Sequence, residues 1–232
     1  MASLVVGSVQ VGDELRSDFH DRLAELHRGV EAMGADVVGM VRSAVDALLE
    51  GDWARVDEVA HADTAVDAAY ARVERDAYTI VLRQAPVARD LRLVVASLRV
   101  AQELERCGDL SCSIARRATR LDESVLTPRV RLLVHELGAE AVSMLAGAVR
   151  AYAVLDGDAA ASVVAADEAL DELYTQLLRE LFSLRQAANE PLVEAGLVAR
   201  FLERLGDHAA VISERVHFIN GGSFEPNDSD SG

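Results

Sequence analysis

The chain has 232 residues, half of them apolar, and it carries a formal charge of −16. Because nucleic acid is itself a dense polyanion, so acidic a chain is a poor candidate for a nucleic-acid-binding protein. Its 23 basic residues are all arginine, which excludes the P-loop, Schiff-base and general-base chemistries that need a lysine. Apolar runs fall short of the 18 residues that a membrane-spanning helix needs, so a cytoplasmic protein is expected.

Six long segments with apolar residues at every third or fourth position follow one another along the chain, a period typical of α-helices. Turn signals, such as the stretch around Pro86, separate them. Asp52 is a suitable N-cap for the second helix, and Asp156 or Asp158 for the fifth. Residues 1–12 and 220–232 are expected to be flexible termini. The predicted helices cover residues 13–50, 53–83, 88–120, 129–155, 158–187 and 191–219.

The second half of the chain repeats the first. The motif D-x3-D-x2-Y occupies residues 63–70 and recurs 104 positions later at 167–174. The motif L-E-R-x-G-D occupies residues 104–109 and recurs 98 positions later at 202–207. Because order and spacing agree across three helices, we predict an all-α fold of two tandem, duplicated three-helix bundles. The bundles are expected to cover residues 13–122 and 128–219.

Each motif places two carboxylates four residues apart, and residues at that spacing lie on one face of a helix. The acidic residues lie within or beside apolar stripes, and glycine or alanine accompanies them in the third and sixth helices. Like charges at this spacing destabilise a helix, and burying them costs more unless a positive charge neutralises them. The eight candidate metal ligands are Asp63, Asp67, Glu105, Asp109, Asp167, Asp171, Glu203 and Asp207.

The residues alone leave several interpretations of these carboxylates open. A metal held by several oxygens would neutralise them, and oxygen-rich sites suit Mg, Mn, Ca or Fe. Alternatively Arg106 and Arg204, which stand inside the motifs, pair with them, or the acidic faces are solvated. A carboxylate-bridged enzyme needs two E-x-x-H motifs on separate helices. The motif from Glu58 to His61 is expected to stand alone, which argues against such an enzyme.

The segment RQAPVARDLR at residues 83–92 joins the second and third helices and gathers three arginines around a proline. It is either an ordinary turn with solvated charges or a basic edge that recognises a partner. The corresponding segment of the second half, from Arg185, lacks the cluster, so the two ends of the molecule differ. The candidate partner-binding residues are Arg83, Arg89, Asp90 and Arg92.

Together these motifs resemble the PhoU family over residues 13–219. The similarity is carried by RQAPVARDLR at 83–92, LERCGD at 104–109, FLERLGDHA at 201–209 and the two D-x3-D helices. The resemblance implies two tandem three-helix bundles. It also implies that the eight candidate carboxylates hold a divalent cation or a multinuclear metal cluster, with Fe, Zn, Mn or Mg as the metal.

The resemblance further implies a regulatory role and no catalysis. Members of the family negatively regulate phosphate uptake and the phosphate-starvation response by coupling the phosphate ABC transporter to a sensor histidine kinase. The expected partners are the ATPase subunit of that transporter, the kinase, and a second copy of the chain in a homodimer. The expected location is the cytoplasm, peripherally at the inner face of the membrane through those partners. The rival functions are a metal-dependent carboxylate-bridged enzyme and a metal-free helical scaffold.

Overall fold

The computed structural model describes residues 2–122, 124–184 and 189–221; the side chains of residues 2–16 and of Trp53 lie outside the description. The described residues form six long α-helices and no strand, so the predicted all-α fold is confirmed. The helices are α1 (Ala2–Glu50), α2 (Trp53–Gln84), α3 (Ala88–Ala118), α4 (Pro128–Val154), α5 (Gly157–Ser183) and α6 (Asn189–Ile219).

The first helix departs most from its predicted limits, because it begins at Ala2 rather than at residue 13. The segment predicted to be a flexible terminus is therefore helical. It contains no proline, and its glycines lower helix propensity without ending a helix. The predicted end of α5 falls on residues 185–188, and most of the predicted C-terminal tail falls on residues 222–232; both lie outside the described residues.

Polar side chains cap the second, fourth and fifth helices. Asp52 accepts a hydrogen bond from the amide of Ala54 at 3.0 Å, and Asp156 accepts one from the amide of Ala159 at 3.0 Å. Both predicted N-caps are confirmed. Thr127 caps α4 in the same way. Each cap satisfies an amide at the start of a helix that has no partner within the helix itself.

The six helices pack as two groups of three. Helices α1, α2 and α3 contact one another, as do α4, α5 and α6, while α1 against α4 and α3 against α6 join the groups. Helices α3 and α6 run antiparallel, because Glu103 contacts His208 while Arg117 contacts Glu194. The turn between α2 and α3 and the turn between α5 and α6 therefore lie at opposite ends of the molecule.

The contact between α1 and α4 is symmetric, because a glycine of each helix packs against a valine of the other. A Cβ atom at Gly34 would lie 2.8 Å from Val149, and a Cβ atom at Gly138 would lie 2.7 Å from Val45. Gly138 and Val149 stand 104 positions after Gly34 and Val45, which is the offset of the repeat. Glycine at both positions lets the two helices approach closely around a local two-fold relation.

The same two-fold relation ties the helix ends together. The Nε2 of His27 donates to the carbonyl oxygen of Ala153 at 3.0 Å, near the end of α4. The Nη1 of Arg131 donates to the carbonyl oxygen of Leu49 at 2.9 Å, near the end of α1. These partners are again 104 positions apart. Carbonyls in a last helical turn lack partners within the helix, so each half completes the other's first helix.

Within the described residues, α4 is the one helix long and apolar enough to cross a membrane by length and composition. It contacts α1, α5 and α6, and it buries Leu133, Leu137 and Leu145 among them. Its apolar character is accordingly that of a core helix in this fold.

Candidate metal centre

The eight candidate carboxylates form two groups of four, each drawn from two helices in contact. We define the first quartet as the group on α2 and α3, and the second quartet as the group on α5 and α6. The first quartet is Asp63, Asp67, Glu105 and Asp109, and the second is Asp167, Asp171, Glu203 and Asp207.

The second quartet contains two buried oxygen atoms that accept no hydrogen bond. Glu203 is the most buried of the eight residues, at 7% exposure. Its Oε1 is ion-paired with Arg200, whereas its Oε2 is buried without a partner, and Oδ1 of Asp167 is likewise buried without one. A buried polar atom without a partner costs about 1–3 kcal/mol. The two atoms therefore mark a place where a positively charged group fits.

Electrostatics couples the carboxylates of the second quartet across the helix pair, although Asp171 is exposed. Burial and then the charge of Asp207 raise the pKa of Glu203 to about 7, against the opposing effect of Arg200. Burial and then Asp207 also raise the pKa of Asp167. Burial is the main cause of the raised pKa of Asp207 as well, and Asp171 on α5 adds to it. Carboxylates on α5 and α6 thus repel one another, and a cation would relieve that repulsion.

The first quartet is more open and is built around a glycine. Asp63 is half-buried, whereas Asp67 and Asp109 are exposed. A Cβ atom at Gly108 would lie 3.1 Å from Oδ1 of Asp63, so α3 makes room there for a carboxylate from α2. Burial raises the pKa of Asp63, and a hydrogen bond with the Cys112 thiol opposes that rise.

The second half uses the matching glycine differently. The space beside Gly206 is filled by the buried side chain of Leu170 rather than by a carboxylate. In the first quartet, Glu105 has a pKa that burial raises first, followed by the charges of Asp109 and Asp67. The two quartets therefore have the same residue types but different surroundings.

The residue types of both quartets suit an oxygen-coordinated cation, because each half carries four carboxylates on two helices in contact. Their positions do not yet enclose one: within the described ranges, no three carboxylate, thiol or imidazole side chains stand close enough to surround a single ion. In the second quartet the unpartnered oxygens of Asp167 and Glu203 add a specific demand for positive charge.

Few of these carboxylates are paired with an arginine in the described structure. Among the described residues, one of the eight forms an ion pair, namely Glu203 with Arg200. Arg106, which the sequence offered as a partner inside its motif, instead contacts Glu103 at 3.4 Å. Arg204 is exposed and lowers the pKa of Asp207 only as a minor contribution.

The expectation that the E-x-x-H motif stands alone is wrong. Glu214 to His217 forms a second such motif, on α6, whereas Glu58 to His61 lies on α2. Helices α2 and α6 do not contact each other in the described part of the chain. His61 hydrogen-bonds the carbonyl of Asp57 within its own helix at 2.8 Å. The two motifs consequently do not form one site.

Sequence reasoning missed a buried polar pair at the centre of the molecule. Nδ1 of His208 lies 2.7 Å from Oε2 of Glu103, and both residues are buried between α6 and α3. Although burial alone would raise the pKa of Glu103, the hydrogen bond and charge of His208 outweigh it and lower that pKa. The sequence contains a signal for this pair, because the second half has the apolar Phe201 at the position that corresponds to Glu103.

Exposed apolar side chains lie on and beside the arginine turn, which we define as residues 83–92. Sequence reasoning also missed this surface. Leu82 is 84% exposed and Val87 is 72% exposed, beside the exposed Arg83 and Arg89. Arg92 is half-buried, and its Nε has no hydrogen-bond partner. Asp90 is half-buried in the first turn of α3. Tyr78, Leu91 and Val95 extend the exposed apolar surface along both helices.

Comparison with known proteins identifies relatives over nearly the whole chain. A PhoU domain matches residues 30–118 and again residues 134–216. The phosphate-specific transport system accessory protein PhoU homolog of Pseudomonas putida is 33% identical over 208 residues, covering 88% of this chain and 81% of that protein. PhoU homolog 1 of Mycobacterium leprae is 32% identical over 218 residues, covering 93% of this chain and 98% of that protein.

Solved structures give the same result for the fold. The crystal structure of PhoU from Pseudomonas aeruginosa superimposes with a TM-score of 0.84 at 32% identity, covering 88% of this chain and all of that one. The phosphate transport system regulatory protein PhoU from Streptococcus pneumoniae superimposes with a TM-score of 0.82 at 26% identity, covering 90% of this chain and all of that one.

Proposed function

The chain belongs to the PhoU family, and from that premise we propose that it is a regulatory accessory protein of a phosphate transport system. The observation that carries the proposal is the doubled PhoU domain, which accounts for both bundles of the fold. The proposed role is negative regulation of phosphate uptake and of the phosphate-starvation response, with phosphate homeostasis as its purpose. The relatives are accessory and regulatory proteins, which favours an adaptor over a carboxylate-bridged enzyme.

The proposed partners are the ATPase subunit of the phosphate ABC transporter and a phosphate sensor histidine kinase. The arginine turn supports a docking role, because it combines exposed apolar side chains with arginines on a chain of net charge −16. Within the described residues, Arg83, Arg89 and Arg92 form no ion pair. A partner with an apolar patch rimmed by carboxylates is complementary to this surface. Through such partners a cytoplasmic protein would be held at the inner face of the membrane.

Cation binding by the two quartets is the second part of the proposal. Asp167 and Glu203 offer buried oxygens without partners, and Asp171 and Asp207 stand beside them. Asp63, Asp67, Glu105 and Asp109 supply the equivalent donors in the first half. Mg, Mn, Fe and Zn are the candidate metals, and a bound cation would neutralise the repelling carboxylates and brace each helix pair.

A reporter assay tests the regulatory role. The chain is expressed in a bacterial strain that lacks its own PhoU protein, and alkaline phosphatase activity is measured as a reporter of the starvation response. We expect the chain to silence the reporter when phosphate is abundant. A reporter that stays fully active while the chain is stably expressed contradicts the proposal.

Charge reversal tests the docking surface. We expect Arg89→Glu with Arg92→Glu to weaken binding of the purified ATPase subunit or kinase while the helical circular dichroism stays unchanged, since the turn lies outside the core. The matched control is Arg129→Glu with Arg179→Glu, two exposed arginines elsewhere on the molecule. If both double variants bind the partner equally well, the arginine turn is not part of the interface.

The proposed homodimer has a separate test. Light scattering after size-exclusion chromatography should give about twice the chain mass of 24.9 kDa at micromolar concentration. A single species at the mass of one chain contradicts this part of the proposal.

A further inference from the structure

We propose that residues 222–232 of this chain dock on the outward face of α3, beside the arginine turn. These residues, which we call the acidic segment, lie outside the described structure and follow directly on Gly221. Their sequence, GSFEPNDSDSG, contains one phenylalanine, three carboxylates and no basic residue. The carboxylates are those of Glu225, Asp228 and Asp230. The surface that the segment covers, which we call the α3 face, consists of Leu91, Arg92, Val95 and Arg99.

The α3 face combines exposed apolar side chains with arginines that lack a carboxylate partner. Its residues are three or four positions apart, so they lie on one side of the helix. Leu91 and Val95 are both exposed. Among the described residues, Arg92 and Arg99 form no ion pair, and Nε of Arg92 is buried without a hydrogen-bond partner. Arg99 donates to the neutral amide oxygen of Gln102 at 3.2 Å. An acidic, partly apolar peptide is complementary to such a surface.

A further arginine stands close to this face on α6. Burial is the main cause of the lowered pKa of Arg215, Glu214 opposes it, and the charge of Arg99 adds to it. Glu103, the next carboxylate along α3, is bound to His208 at 2.7 Å. The two arginines therefore repel each other across the helix pair, and carboxylates that arrive from the acidic segment would relieve that repulsion.

The end of α6 brings the acidic segment to the α3 face. The hydrogen bond between Glu103 and His208 sets the register of the two antiparallel helices. Eleven residues from this pair on each helix, Ile219 therefore lies opposite Arg92. Gly221 follows with a φ of +98°, a conformation that glycine adopts readily and that turns the chain away from the helix axis. The acidic segment thus begins next to the arginines that it pairs with.

The acidic segment is long enough to cover the α3 face. Extended, it reaches about 36 Å, whereas the path along α3 from Leu91 to Arg99 is about 12 Å. Phe224 comes before the three carboxylates, so an apolar contact with Val95 and ion pairs with the arginines can form together. Because a short linker holds the segment at a local concentration of roughly millimolar, weak ion pairs are sufficient for docking.

Docking of the acidic segment has a consequence for partners of the arginine turn. A partner with carboxylates around an apolar patch uses the same chemistry as the segment, so the two compete for Arg92. That consequence rests on the proposed function. The docking itself does not, and it is measured in the chain alone, so its failure leaves the proposed function standing.

Paramagnetic relaxation in the full chain tests the docking. A nitroxide spin label is attached at the cysteine of Ser229→Cys, since the native Cys107 and Cys112 are buried and react poorly. We expect the backbone amide signals of residues 87–99 to lose about half of their intensity or more, relative to the same sample with the label reduced. The loss should be the same after dilution of the protein, because the contact is made within one chain.

Two sets of variants in the labelled chain separate docking from proximity alone. Arg92→Glu with Arg99→Glu should abolish the loss of intensity, whereas the matched control, Arg129→Glu with Arg179→Glu, should keep it. Circular dichroism checks that these variants are folded.

Neutralising the acidic segment gives the same test without touching the helices. Glu225→Gln, Asp228→Asn and Asp230→Asn together should abolish the loss. Three results overturn the proposal: no loss in the labelled chain, a loss that persists after the carboxylates are neutralised, and a loss that disappears on dilution. The last result would assign the α3 face to the acidic segment of a second copy.

Discussion

The two halves of this chain keep the same contact between α1 and α4 and the same four carboxylates, and they differ at the contact between α3 and α6. At the contact between α1 and α4, glycine and valine occupy matching positions in both halves. At the contact between α3 and α6, the matching positions hold Glu103 in one half and Phe201 in the other. Close helix approach tolerates few residue types, whereas a polar position can change once its neighbours change with it. The halves thus share the contact between α1 and α4, whereas the polar residues at the contact between α3 and α6 have diverged.

The pair of positions 103 and 201 shows how this specialisation is stabilised. Glu103 is bound by His208 at 2.7 Å, whereas Phe201 lies under the guanidinium of Arg117, with 4.8 Å between the guanidinium carbon and the ring centroid. The residue that corresponds to Arg117 is Arg215, whose charge lowers the pKa of Glu103. Both halves therefore keep an arginine at this position. Arg117 faces the aromatic ring of Phe201, and Arg215 acts on the carboxylate of Glu103.

The largest effect is expected from breaking the buried pair. His208→Leu introduces the residue found at the matching position of the first half, Leu110, but it leaves Glu103 buried without its main partner. We expect a loss of about 3 kcal/mol in the free energy of unfolding, measured by urea titration at pH 7. Adding Glu103→Phe makes the two sides alike and should recover most of that loss. A double variant no more stable than His208→Leu would falsify this account of the interface.

The two motif glycines should respond unequally to alanine. A Cβ atom at Gly206 would collide with Leu170, which is fully buried, so Gly206→Ala should destabilise the protein by about 2 kcal/mol. At Gly108 the nearest atom is Oδ1 of Asp63 at 3.1 Å, and that carboxylate can shift toward solvent. There the gain in helix propensity, about 1 kcal/mol, offsets the contact. Thermal unfolding of both variants makes the comparison, and equal melting temperatures contradict it.

A smaller difference is expected in how stability depends on pH in metal-free protein. The pKa of Glu203 is raised from 4.5 to about 7, so the folded state binds more protons than the unfolded state between those values. Stability is therefore lost as the pH rises through that window. Glu203→Gln should remove this loss and stabilise the protein at pH 8 by on the order of 1.5 kcal/mol, allowing for solvent screening.

The matched control for the pH measurement is Glu105→Gln, which should change stability at pH 8 by less because Glu105 is more exposed. Urea unfolding of the wild-type protein and of both variants at pH 5 and pH 8, in the presence of a chelator, gives the six values needed. If the wild-type protein and Glu203→Gln change in stability by the same amount between pH 5 and pH 8, the raised pKa of Glu203 is contradicted.

The helices could be predicted from the sequence because periodicity, caps and breakers are local signals. Asp52 and Asp156 are N-caps as expected, and the last five helices begin within two residues of their predicted starts. The start of α1 could not be predicted, since no turn residue marks where that helix should begin. The repeat also predicted that matching helices play matching roles, which the paired contacts of α1 and α4 bear out.

The sequence proposes the residues of the candidate site, and their environment became known only from the structure. The i, i+4 spacing singled out all eight carboxylates, but spacing does not say which oxygen is buried. Arg200 rather than Arg204 pairs with Glu203 because residues three apart share a helix face, whereas adjacent residues do not. The apolar side chains around the arginine turn could be recognised as a surface only once their exposure was known. Apolar residues that recur every three or four positions in a helix normally face a core.

The most direct test of the central claim, that the second quartet binds a cation, is anomalous diffraction from crystals of the full chain grown with Mn²⁺. The account predicts an anomalous peak between α5 and α6, within about 2.5 Å of carboxylate oxygens of Glu203 and Asp167. Manganese peaks elsewhere in the crystal, with none between α5 and α6 and Glu203 still bound to Arg200 alone, would contradict the claim.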